Sequence, residues 1–229
     1  MKKILPVLTL ALVLGWSNSA LASLWGNPLP EYKPGQVVVG GGGLLGDTNY
    51  LLGEYGLSKE GTVRGHYGIV DWKGVLGGSE FGAGYKHDLG NKFKLGDYST
   101  SLGVMGYYTT GSVKDSTGDF KASYTMMDFG AGVSIQPKPK LKVYGMGILS
   151  MWKSESTYVA PSYTYYDPFT GRNTTIGGGT YTDSYSENDF GVSAGVEYEM
   201  SPQLILGAEL HGGFYENDDS LRLFALYKL

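Results

Sequence analysis

The stretch VVVGGGGLLGDTN, Val37 to Asn49, decides the fold. Three valines running into four glycines match the opening of a nucleotide-binding strand and phosphate loop, but that reading needs a helix next, whose N-terminal amides would hold the phosphates. The next residues are instead YLLGEYGLSKEG, Tyr50 to Gly61, with apolar residues two apart, glycine inside the run and a turn at its end. That is a strand pattern, so the phosphate-loop reading lacks its context.

Period two extends far beyond this stretch. Leu204, Leu206, Ala208, Leu210 and Phe214 fall on one face, with Gln203, Ile205, Gly207, Glu209 and His211 on the other. Leu221, Leu223, Ala225, Tyr227 and Leu229 likewise oppose Arg222, Phe224, Leu226 and Lys228. Phe190 to Met200 and Met127 to Ile135 alternate in the same way, giving strands rather than helices. A soluble sandwich alternates too. Three features favour a membrane barrel: aromatics near the ends of the apolar faces (Tyr85, Tyr198, Phe214, Tyr227), opposite faces that mix glycine, serine and charge, and a terminal run that is itself a strand.

The first residues, MKKILPVLTLALVLGWSNSALAS, combine two lysines, an apolar run from Ile4 to about Leu14 and the small-x-small triplet Ala20-Leu21-Ala22. This is the pattern of an export signal over residues 1–22, with the mature chain, 23–229, starting at Ser23. A membrane-spanning helix would need about 20 apolar residues. There is no cysteine, which excludes disulfide staples and a lipidated cysteine at the new N-terminus. Loss of Lys2 and Lys3 leaves 16 basic residues against 22 acidic, a formal charge of −6, which argues against nucleic acid as a partner. The 37 glycines among 229 residues are more than twice the usual ~7% and show no collagen period.

The export signal, the glycine-rich alternating hairpins and the terminal LRLFALYKL together resemble the small outer-membrane β-barrel proteins of Gram-negative bacteria, some of them porin-like. The resemblance covers the mature chain and implies an all-β fold: a closed antiparallel up-and-down transmembrane β-barrel in the cell outer membrane. Its implied partners are outer-membrane lipid, lipopolysaccharide and the barrel-assembly machinery. In that family the last strand carries an aromatic third from the end and usually a terminal Phe, read as the insertion signal. Tyr227 fits and Leu229 departs.

Four tight connections read as periplasmic turns: SKEG (58–61), DLGNK (88–92), QPKPK (136–140) and MSPQ (200–203). With five outward connections, at 46–49, 71–79, 113–119, 154–183 and 216–219, they give ten strands, and eight if the glycine-rich first hairpin is irregular. VVVGGGGLLG is then the first strand, pairing with the last, and its glycines leave room in a crowded lumen. Residues 23–34, with three prolines, read as a periplasmic lead-in tail.

The alternation turns Glu54, Arg64, His66, Glu80, Lys86, Asp88, Asp128, Glu197, Glu199, Glu209, His211, Arg222 and Lys228 inward. One reading is a self-satisfied charge network that fills the lumen. The alternative is a narrow passive porin that prefers cations. A distant alternative, an outer-membrane lipid or peptide hydrolase, rests on Ser193, Glu209 and His211 facing inward on adjacent strands. No catalytic motif matches, and the sequence indicates no enzyme, cofactor or metal; the acidic run ENDDS (216–220) reads as a solvated turn. The long segment around 154–183 reads as an extracellular loop, its flanks extending the adjacent strands above the membrane and Pro161, Pro168 and Gly177 to Gly179 breaking its middle; its Tyr158, Tyr163, Tyr165 and Tyr166 are candidates for binding an extracellular ligand of unknown kind.

Overall fold

The structure is a computed structural model that describes residues 26–30, 32–44, 48–72, 76–213 and 220–229. The export-signal segment, Phe214, most of the ENDDS run and parts of the outward connections at 46–49, 71–79 and 216–219 lie outside them. Ten strands form a closed antiparallel barrel. They are β1 (Val37–Leu44), β2 (Thr48–Gly56), β3 (Gly61–Trp72), β4 (Leu76–Leu95), β5 (Tyr98–Asp115), β6 (Phe120–Lys138), β7 (Leu141–Asp167), β8 (Arg172–Glu199), β9 (Leu204–Gly213) and β10 (Ser220–Lys228). Each pairs with its chain neighbours, and the seam closes from Val38 opposite Lys228 to Leu44 opposite Arg222.

The alternation read from the sequence separates two environments. The outer face exposes Ile69, Phe81, Phe129 and Leu210, the last 62% accessible. A continuous apolar belt of this extent is untenable in water and is the surface a bilayer covers. The inner face buries Glu54, Arg64, His66, Glu80, Lys86, Asp128, Glu197, Glu209 and Arg222.

The glycines have a packing reason. On the inner face a glycine repeatedly stands directly across the ladder from a large side chain: Gly42 from Phe224, Gly40 from Leu226, Gly84 from Tyr107, Gly195 from Tyr144, Gly207 from Phe224, Gly132 from Met146 and Gly111 from Tyr124. A Cβ on any of them would overlap the partner's backbone or the side chain laid across it. Small against large is how a narrow lumen fills without voids.

Two connections differ from the sequence reading. Asp88–Lys92 is a bulge, not the turn; pairing shifts register there and β4 runs on to Leu95, turning at Gly96–Asp97. Asp88 stabilises the bulge by accepting hydrogen bonds from the Gly90 amide at 2.8 Å and the Ser101 hydroxyl at 3.1 Å, and Gly90 takes φ 70°. The Asp-x-Gly signal serves a bulge as well as a turn. The middle of the segment 154–183 is not broken: β7 and β8 pair out to Asp167 and Arg172, leaving only residues 168–171 as the turn.

Nor does the lead-in tail hang below the barrel. Next to a turn at 33–36, closed by the Gln36 amide on the Lys33 carbonyl at 2.9 Å, residues 26–30 and Tyr32 lie back inside the lumen. Gly26, Asn27, Pro28 and Tyr32 are buried there. Prolines and the absence of apolar periodicity mark a segment that makes no strand, and they leave open whether it lies inside or outside.

Gly195→Ala is expected to cost about 1–3 kcal/mol through overpacking against Tyr144. Gly65→Ala, whose Cβ would meet nothing nearer than the Gly82 carbonyl at 3.7 Å, is expected to fall within about 1 kcal/mol of neutral. Urea unfolding of the bilayer-reconstituted protein, followed by heat-modifiable gel migration, measures both; equal costs would contradict the small-against-large packing.

Candidate functional site: the lumen and the outer ribbon

β2, β3 and β4 point Glu54, Arg64 and Lys86 at one another. The Glu54 carboxylate lies 3.3 Å from Arg64 Nε and 3.0 Å from Lys86 Nζ, all three nearly inaccessible. Higher in the lumen, His66 Nε2 stands 3.3 Å from Glu80, and Tyr124 donates its hydroxyl to the same carboxylate at 2.6 Å. The His66 ring stacks with Tyr107 and its Nδ1 lies 3.3 Å from the Tyr107 hydroxyl. On the opposite wall Glu209 pairs with Arg222 at 3.3 Å and accepts the Tyr144 hydroxyl at 2.7 Å. Arg222 in turn sits 5.8 Å over the Tyr50 ring. Asp128 is fully buried, and at the periplasmic rim Glu199 meets Lys228 at 3.7 Å.

The inserted N-terminal segment completes these groups. The Gly26 amide donates to Glu209 at 2.8 Å; Asn27 donates to Ser134 Oγ at 3.3 Å and to Glu197 at 3.4 Å. Tyr32 hydrogen-bonds Glu54 and packs with Val38, Tyr50, Leu52, Ile205, Phe224 and Leu226. Gly26 adopts φ 69°, and a Cβ there would stand 3.0 Å from the Arg64 guanidinium, so glycine suits this position. Between segment and wall remains a cavity of about 10 Å³, too small to hold more than one water. The sequence placed none of this, because nothing local marks a proline-bearing tail as a ligand of its own barrel.

Of the trio that a hydrolase would use, Ser193 lies across the β8–β9 ladder from His211, and Glu209 from Gly195. Ser193 Oγ has no hydrogen-bond partner among the described residues, while Glu209 is engaged by Arg222, Tyr144 and Gly26. No group of three or more His, Cys, Asp or Glu suited to a metal ion occurs among the described residues.

Above the membrane β7 and β8 continue. They are 27 and 28 residues long, and a span takes roughly 9–11, so about 16 residues of each project outward, some 50 Å of strand at roughly 3.3 Å per residue. Their lower part leans on β6, which pairs with β7 up to Phe120 opposite Tyr158. Beyond that they stand as a two-stranded ribbon. Tyr158 faces Tyr181 across the ladder, and by alternation Tyr166 and Tyr185 share their face; all four are exposed, whereas Tyr165 lies on the other side. Tyr163 pairs with Ile176, and its side chain lies outside the described residues. At the tip Asp167 accepts the Phe169 amide at 2.9 Å and the Thr170 hydroxyl at 2.8 Å, which hold its carboxyl below the ordinary value of 3.8. Tyr227 is half-buried on the outer face of β10, and Leu229, just past the strand, is exposed and donates its amide to Val37 at 2.9 Å.

Residues 8–222 match the family model described as outer membrane protein beta-barrel domain. No curated protein matches the chain. Among solved structures, the attachment invasion locus protein Ail of Yersinia pestis shares 14% identity over 86% of this chain and 99% of its own, with a TM-score of 0.40. The N-terminal β-barrel domain of Pseudomonas aeruginosa OprF shares 11% over 85% and 96%, with a TM-score of 0.34. Acinetobacter baumannii Omp33 also shares 11%, over 85% and 98%, at 0.34. At such identities and scores no ligand or activity transfers from them.

Glu54→Ala leaves Arg64 and Lys86 buried without their carboxylate and should cost about 3–5 kcal/mol in urea unfolding; a loss under about 1 kcal/mol would mean that water already satisfies these charges. At the ribbon tip the folded carboxyl titrates below its unfolded value, so its bonds are complete above the unfolded value and are lost as pH falls through the folded one. Amide exchange at Phe169, corrected for intrinsic rates, should therefore stay flat from neutral pH down to the ordinary carboxylate range and rise below it. In Asp167→Ala it should be fast throughout.

Proposed function

The chain belongs to the outer membrane protein beta-barrel domain family, and from that premise we propose that it is a closed, non-catalytic outer-membrane barrel whose working part is the tyrosine-bearing ribbon of β7 and β8. The single observation that carries this reading is the ribbon itself: about 16 residues of each strand go beyond what crossing a bilayer requires. Extra strand of this length has no role in spanning. Tyrosines supply rigid amphipathic contact area at low entropic cost, and Tyr158, Tyr166, Tyr181 and Tyr185 present it on one face. The ligand is extracellular, and outer-membrane lipid and lipopolysaccharide surround the barrel wall.

The lumen supports the non-conducting half of the reading. Paired charges, rings over glycines and the inserted segment fill it, and the absence of a serine-to-base contact among the described residues speaks against hydrolysis. A narrow passive pore is the second reading, favoured by the acidic excess of the inner wall.

Replacing residues 159–180 by an Asn-Gly turn, which suits the two-residue connection between Tyr158 and Tyr181, together with Tyr158→Ser, Tyr181→Ser and Tyr185→Ser, removes the ribbon and its tyrosine face and leaves the strand pairs of the barrel in place. The shortened protein should keep its heat-modifiable migration and lose retention on a panel of immobilised glycans and extracellular proteins that the full chain binds. Identical binding profiles would locate the function elsewhere. In planar bilayers the full chain should pass no stepwise current.

A further inference from the structure

Among the described residues the inserted segment takes part in no strand ladder, and β1 pairs with β2 and β10 independently of it. Its grip includes side-chain and amide contacts from Gly26 to Glu209, from Asn27 to Ser134 and Glu197, and from Tyr32 to Glu54. Those partners come from β9, β6, β8 and β2, so the binding place exists only once the barrel has closed. A ligand held by non-ladder contacts can leave without breaking the wall.

We propose that Gly26–Tyr32 is a removable plug over a cation-preferring conduit. The surface it covers carries Glu54, Arg64, Lys86 and Glu197 beside the apolar Phe224 and Leu226, and charged groups that lose their cover hydrate rather than collapse. Beside the segment the Thr62 hydroxyl, and elsewhere on the lumen wall those of Thr109 and Ser193, are buried with no hydrogen-bond partner among the described residues. Each is a place for water, on strands β3, β5 and β8 around the lumen. The buried inner wall carries the carboxylates Glu54, Glu80, Asp128, Glu197 and Glu209 against the permanent cations Arg64, Lys86 and Arg222. Two carboxylates therefore exceed the fixed positive charge, and small cations are what an unplugged lumen admits. This goes beyond the closed-barrel reading, which concerns the plugged chain.

The test uses the full chain carrying Asn27→Asp and Tyr32→Ser. The first change sets a carboxylate against Glu197, and the second removes the anchor ring and its bond to Glu54. In planar bilayers this variant should show stepwise currents whose reversal potential shifts toward the cation under a potassium chloride gradient, while the unaltered chain stays silent. A synthetic peptide of residues 26–34, added from the periplasmic side, should suppress the currents, and a scrambled peptide should not. A second variant lacking residues 26–34 should conduct continuously rather than in bursts. If either variant reaches the heat-modifiable folded form and remains silent, the plug covers no conduit and the inference fails, whereas the closed-barrel reading stands. If the unaltered chain conducts as much as the variants, both fail; if it conducts measurably less, the closed-barrel reading alone fails.

Discussion

Backbone hydrogen bonds cannot be left open in lipid, and the β1–β10 seam is where that demand is met. Seven residues of the first strand find partners in the last, from Val38 to Leu44, and without them two strand edges would face hydrocarbon. The composition of β1 is dictated by the side chains its partner carries. Phe224 and Leu226 point into the lumen from β10, so the positions opposite, Gly42 and Gly40, have no room for a side chain. The entropy those glycines lose on folding is offset by the rings and branched chains that occupy their space. The same exchange recurs around the barrel, and it accounts for a glycine content that no turn chemistry would require.

Closure creates a second demand, because a narrow lumen traps whatever the inner face carries. Among the described residues, nine acidic or basic side chains are buried there beside aromatic and aliphatic ones, and each charge is expensive unless partnered. Glu54 lies between Arg64 and Lys86, Glu209 between Arg222 and Tyr144, and Glu80 between His66 and Tyr124. These contacts tie together strands that are not neighbours in the ladder: Tyr144 on β7 reaches Glu209 on β9, and Tyr124 on β6 reaches Glu80 on β4. The charge network thus braces the cross-section, where the ladder alone resists only separation of adjacent strands.

The features legible in the sequence are those that period two controls. The alternation in Gln203–Tyr215 and LRLFALYKL places Glu209 and Arg222 on one wall and Leu210 and Leu223 on the other, because a strand's faces are fixed by parity alone. Strand ends are harder. Asp88-Leu-Gly90 looks the same whether the chain turns or bulges, and only the onward pairing of Phe93, Lys94 and Leu95 with Tyr98–Thr100 decides. Pro161, Pro168 and Gly177–Gly179 suggest a broken loop, yet Pro161 costs the β7–β8 ladder only one pair. The inserted segment is illegible for a different reason. Asn27 meets Ser134 and Glu197, 107 and 170 positions away, and no pattern within a dozen residues encodes such contacts.

The ribbon stands outside all of these constraints, and its physical character differs accordingly. A two-stranded hairpin alone is marginal in water. Here the lower part is stiffened by β6 and by the Tyr124 ring, 5.8 Å from Trp152, while the tip is set by Asp167. Between them, Pro161 interrupts the pairing, and Gly178 and Gly179 take φ 85° and 139°, conformations that other residues rarely adopt. The hairpin is therefore firm at its base, defined at its tip and compliant in between. Exposed tyrosines on such a support can adjust to a partner while the barrel holds their base in place.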